Sequence, residues 1–131
     1  DQPCDRISVS VENATAYLSN LNLPHIRFIK MDVEGYEAEI IKGASKFFEV
    51  NCPDAILFEL NDHTLPFSQQ PVVNVLSELG YQFFDLPKSK LRMRLYPINM
   101  LSPPEQYGHD ILAVQKGKVY NEIARLVGVS T

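Results

Sequence analysis

The 131-residue chain has no tryptophan and only two cysteines, Cys4 and Cys52. A single domain of this length, residues 1–131, buries roughly two thirds of the surface that its unfolded form exposes. Its core therefore does not depend on a disulfide framework, and so little cysteine suits an intracellular protein. Long hydrophobic runs are missing too. Nothing approaches the roughly 20 apolar residues of a membrane span, and Asp1 to Arg6 lacks the basic-then-apolar order of a signal peptide. Basic charge is scarce, with 12 Lys and Arg against 16 Asp and Glu and a net charge of −4. That excludes a general nucleic-acid binder, which needs a cationic excess to neutralise phosphates. The six glycines are scattered, with no G-x-G, so the usual phosphate-cradling turn is excluded. A G-x-S-x-G elbow and a C-x-x-C pair are likewise missing. The expectation is a soluble, cytoplasmic protein, and a start without methionine points to a processed or excised segment.

Hydrophobic residues make up 45% of the chain and charged residues 21%, the profile of a folding globular domain rather than a disordered one. Arg6 to Val11 alternates weakly and reads as a short strand, followed by an N-cap at Asn13 and a helix carrying Ala14, Tyr17, Leu18 and Leu21. Ile26 to Val33 is apolar on both faces and reads as a central parallel strand. Tyr36, Ile40, Ile41, Ala44, Phe47 and Phe48 form one helical stripe, so a single helix is expected over Tyr36 to Glu49. Ala55 to Leu60 reads as a second parallel strand. Pro71 at the start and Gly80 at the exit bracket a helix from about Gln70 to Leu79. Tyr81 to Leu86 is a further strand. Residues 87–108 hold four of the nine prolines and read as a long loop or flap. Asp110 to Gln115 and Val119 to Val127 read as a last strand and a terminal helix. The alternation predicts an α/β fold, an open, mostly parallel sheet with helices on both faces, right-handed crossovers and a site at the carboxyl ends of the strands.

Asp32 and Glu34 stand where the first parallel strand runs out, and Glu59 ends the next one. Three carboxylates gathered at neighbouring strand ends need cationic or hydrogen-bonding company. The alternative is structural: Glu34 or Glu37 stabilising a helix N-terminus, Glu37 above all, and Glu59 pairing with Lys30. His63 and His109 are each candidates for a base or a metal ligand, or are simply solvated loop histidines, and His25 has a weaker claim. Their spacings fit no compact zinc pattern, so no metal is expected. Lys88, Lys90, Arg92 and Arg94 alternate along the flap, either as a cationic face for an acidic substrate or as a solvated edge protected from strand pairing. Tyr96 and Tyr107 could stack within the flap.

Ile29-Lys-Met-Asp-Val-Glu-Gly-Tyr-Glu37, followed by Ile41-Lys-Gly-Ala44, resembles the signature of the FkbM-type methyltransferases, roughly I-K-x-D-x-E-G-x-E followed by x-L-x-G-A. The resemblance continues through Ile56-Leu-Phe-Glu59, Leu79-Gly-Tyr81 and Asp110-Ile-Leu-Ala-Val114. It implies a class I, Rossmann-like fold with an antiparallel last strand, S-adenosylmethionine as cofactor, and O-methylation of a hydroxyl on a small molecule or sugar. It also implies that Asp32 lies beside the methyl group or acceptor, with Glu34 and Glu59 lining the acceptor pocket. Asp32 is then the first candidate base and His63 the second. The acidic-glycine loop that holds the cofactor in this family has no counterpart here, so the chain looks like the C-terminal portion of the domain. Its strand Ile26 to Val33 should then have an unpaired apolar edge, with self-association expected unless an N-terminal half covers it. The competing expectation is a non-catalytic α/β binding or interaction module derived from such a domain.

Overall fold

The computed structural model describes residues 7–88 and 94–128. Its elements in chain order are α1 (Ala14–Asn20), β1 (Phe28–Met31), α2 (Glu37–Gly43), α3 (Ser45–Val50), β2 (Ala55–Glu59), α4 (Pro71–Glu78), β3 (Tyr81–Asp85), β4 (Tyr96–Pro97), β5 (Asp110–Gln115) and α5 (Lys118–Val127). The five strands form one sheet in the order β1-β2-β5-β3-β4.

The α/β class is as expected, and so is an antiparallel last strand. A mostly parallel sheet is not what forms. Among the described residues only β1 and β2 pair in parallel, while β5 lies antiparallel between β2 and β3, and β4 is antiparallel to β3. The reason is that β5 enters the gap between two strands of like direction. β1, β2 and β3 all run the same way, yet three of the four ladders are antiparallel.

Strand alternation explains the two layers that cover the sheet. Ile56, Phe58, Tyr81, Phe83, Ile111 and Ala113 face the main core with α2, α3 and α4, whereas Ala55, Phe84 and Val114 face α5 through Val119, Tyr120 and Ile123. Helices thus lie on both faces.

Several elements depart from the sequence reading. The single helix over Tyr36 to Glu49 is two helices joined at Ala44. The Gly43 carbonyl accepts a 2.6 Å hydrogen bond from Thr15 Oγ1, which engages it outside the helix at a residue of low helix propensity. The expected first strand is not formed over its described part. Residues 7–12 are irregular and Val11 is 90% exposed, and Arg6 lies outside the described residues. Asn13 does cap α1, its side chain accepting from the Ala16 N–H. β1 is not central: it pairs with β2 alone among the described residues and leaves Phe28 54% exposed, as the unpaired-edge expectation has it. The flap at 87–108 is partly regular, since Tyr96–Pro97 pairs with β3 and Pro104–Gln106 forms a 3-10 turn. Lys90 and Arg92 lie outside the described residues. No described helix is long and apolar enough to cross a membrane.

Candidate active site

Parallel β1 and β2, with antiparallel β5 entering beside them, bring three chain segments to one edge of the sheet. Asp32 follows the last residue of β1, Glu59 ends β2, and Asp110 begins β5 directly opposite Glu59. Like charges across a ladder repel. Lys88 offsets this, its Nζ 3.6 Å from Glu59 Oε1 and 3.5 Å from Asp110 Oδ2. Two residues apart on one extended segment, Lys30 and Asp32 share a side, and Lys30 Nζ lies 2.8 Å from Asp32 Oδ2. The hydrogen bond and charge of Lys30 hold the Asp32 carboxyl below its ordinary range and raise Lys30 in return. The Lys30 partner is therefore Asp32, and the Glu59 partner is Lys88.

Glu34 stands apart from this cluster. It is exposed, with a φ of 51°, and Gly35 follows at 93°. These two left-handed residues, with the Tyr36 N–H donating to Val33 O, turn the chain sharply from β1 into α2. Glycine adopts that conformation freely, whereas glutamate does so under strain.

His63 and His109, 46 residues apart in sequence, are in direct contact. His63 Nε2 is 2.9 Å from His109 Nδ1, and the rings meet edge to face with centroids 4.2 Å apart. His109 Nδ1 also lies 3.0 Å from Leu60 O. A neutral Nδ1 cannot both donate to that carbonyl and accept from His63, so the pair has two proton arrangements, one for each bond. The loop carrying His63 is pinned from three directions. Asp62 Oδ1 accepts from the Thr64 N–H and hydroxyl, which lowers the Asp62 carboxyl below its ordinary range. Buried Gln70 donates to Asp62 O, and the Tyr107 hydroxyl donates to Leu65 O.

Beside this loop, a groove of about 380 Å³ runs between the N-terminal turns of α2 and α4, lined in part by Glu37, Glu39, Glu59, Asp62 and Gln70. Glu37 is 4% exposed and its Oε1 has no hydrogen-bond partner among the described residues. It sits in the first turn of α2, where capping was expected, but a buried carboxylate on a groove wall exceeds that role. Sequence reasoning placed Glu37 at the helix start but missed its burial on a groove wall, along with Gln70 and the pairing of the histidines. The last Glu of the E-G-x-E run was the one visible signal. Among the described residues no three His, Cys, Asp or Glu side chains converge as metal ligands.

The family model of the FkbM methyltransferase domain matches residues 2–83, more than half of the chain. The chain belongs to the FkbM methyltransferase family. The match spans β1 through most of β3 and contains Asp32, Glu34, Glu37, Glu59 and His63, while Lys88, His109 and β5 lie beyond it. No curated protein and no solved structure matches the chain. Family membership gives methyl transfer as the general activity of this FkbM domain.

Proposed function

We propose that this FkbM chain is the acceptor-side wall of a class I, S-adenosylmethionine-dependent O-methyltransferase acting on a hydroxyl of a small molecule or sugar in the cytoplasm. The observation that carries the reading is the paired His63 and His109 beside the acidic strand ends, within and next to the family match. The bound cofactor would supply an electrophilic methyl group on a sulfonium. The carboxylates of Asp32, Glu59 and Asp110 suit its positive charge. The scattered glycines provide no nest for its carboxylate, so no residue is assigned to that end. Three strands of like direction with an antiparallel strand inserted between the second and third support the class I reading.

An acceptor hydroxyl must lose its proton as its oxygen gains the methyl. Asp32 is a poor base for this, because the bond to Lys30 weakens its basicity. Imidazole is the side chain whose ordinary ionisation spans neutral pH. A proton taken at His63 Nδ1 leaves Nε2–H donating to His109 Nδ1 across 2.9 Å, which spreads the new charge over two rings. The order of candidates is therefore His63 before Asp32, with Glu59 as an acceptor-side residue and Glu34, exposed on the turn after β1, set apart from them.

The test follows isotopic label from the methyl of S-adenosylmethionine into a panel of monosaccharides, using the protein as its gene encodes it. His63→Ala is expected to lower kcat by about 100-fold or more, the scale of a lost general base, and Asp32→Asn by less. Equal loss in both variants would return Asp32 to first place. A second reading, a non-catalytic binding module, is favoured by the closed Lys30–Asp32 pair, and failure of any sugar to take label would support it.

A further inference from the structure

We propose that the groove between the N-terminal turns of α2 and α4 binds the ammonium group of a sugar-sized amine, with Glu37 as its anchor. The inference rests on the methyltransferase reading only in identifying that amine as the acceptor. The decisive feature is Glu37 Oε1, a carboxylate oxygen at a residue 4% exposed that receives no hydrogen bond among the described residues. Burying such an oxygen without a donor is costly, and a donor seated in the groove would remove that cost.

Charge selects among donors. Every titratable side chain on the groove wall is a carboxylate: Glu37, Glu39, Glu59 and Asp62. Among the described residues, neighbouring cations reach two of these, Lys42 lying 3.9 Å from Glu39 and Lys88 3.6 Å from Glu59. Asp62 is occupied by Thr64, which leaves Glu37 as the carboxylate free to take a ligand charge. An anionic ligand is repelled here, and a neutral hydroxyl answers the orphaned oxygen but not the charge. An ammonium answers both, with three donors and a full positive charge.

The shape fits the same class. A volume of about 380 Å³ falls at the small end of small-molecule sites. Ala38, Leu60, Leu65 and Val72 also line the groove and offer an apolar surface to the face of a sugar ring. Gln70, buried and held by Asp62 O and Tyr107, fixes the wall opposite α2, so the groove is set before a ligand arrives.

The experiment titrates the full chain with glucosamine and with glucose, without cofactor, at a pH that keeps the amine protonated, and follows backbone amide NMR shifts. Glucosamine is expected to shift amides of residues 37–39, 60–62 and 70–72 and to bind at least tenfold more tightly than glucose. Glu37→Gln should abolish that preference while leaving the amide spectrum dispersed, and Asp62→Asn should leave most of it. Equal binding of the two sugars by the unaltered chain overturns the proposal, whatever the fate of the variants. So does a preference that survives Glu37→Gln. Because this titration reads binding alone, glucosamine binding here together with no label transfer to any sugar in the separate methylation assay would uphold this site and sink the proposed O-methylation of sugars. Methylation of plain hydroxyl sugars with no amine preference would do the reverse.

Discussion

β5 carries Ile111, Ala113 and Val114 with no exposed surface between two neighbouring strands, whereas β1, from a segment equally apolar, has one neighbour among the described residues and shows Phe28 to solvent. Composition does not separate these two regions; coverage does. Apolar burial contributes in proportion to area removed from water, so the same side chain stabilises strongly in β5 and little in β1. The carboxyl edge of the sheet spans both regimes, with Asp32 on the thinly covered flank and His109 and Asp110 on the entry to the well-covered strand.

The sharpest way to break this contrast is to truncate each strand. Ile111→Ala is expected to cost about 2–5 kcal/mol and Phe28→Ala to stay within about 0.5 kcal/mol of zero, read by urea unfolding. Comparable losses at the two positions would mean that β1 is covered after all. On the covered side, Tyr81 is buried and its hydroxyl donates to Pro53 O over 2.7 Å with Cys52 Sγ 3.3 Å away. Tyr81→Phe should cost about 1–2 kcal/mol. Burial raises the Tyr81 phenol, so the folded chain keeps a proton that the unfolded chain releases above about pH 10. Stability should therefore fall as pH climbs past that point, and Tyr81→Phe should flatten the alkaline limb.

On the exposed flank, the effects are smaller. Asp32 is held below its ordinary range, so its contribution is present above the usual carboxylate range and is lost as pH drops through the lowered folded value. Thermal melts in acid should show Asp32→Asn removing a shallow part of that loss, and a steep acid transition unchanged by the variant is the outcome that agrees with a minor surface pair. Least of all, Glu34→Gly relieves the left-handed strain at φ 51° but frees the unfolded backbone, so a stabilisation of under about 1 kcal/mol is expected.

How much of this was legible in the sequence follows the same division. Local signals held where they were local: Asn13 as a cap, Pro71 opening α4, Gly80 leaving it at φ 86°, and the carboxylates at the ends of β1 and β2. What depended on distant segments was not legible. Nothing near Asp110 says that β5 enters between β2 and β3, and nothing near His63 says that His109 meets it, because that contact is made by the sheet. Gly43 gave a local hint of a weak point in the helix, but the hydroxyl that engages its carbonyl comes from Thr15. Glu37 was legible as an acidic residue at a helix start, and it does stand in the first turn of α2, but periodicity does not reveal the groove that α4 forms beside it.

The two margins of the sheet differ in a way that bears on how copies could meet. On the β4 side, the outermost strand is two residues long and one of them, Pro97, has no N–H to offer a newcomer. On the β1 side, four residues stand without such a guard. Among the described residues, then, the margin that keeps a full row of backbone donors and acceptors for a further strand, from whatever chain, is the one formed by β1.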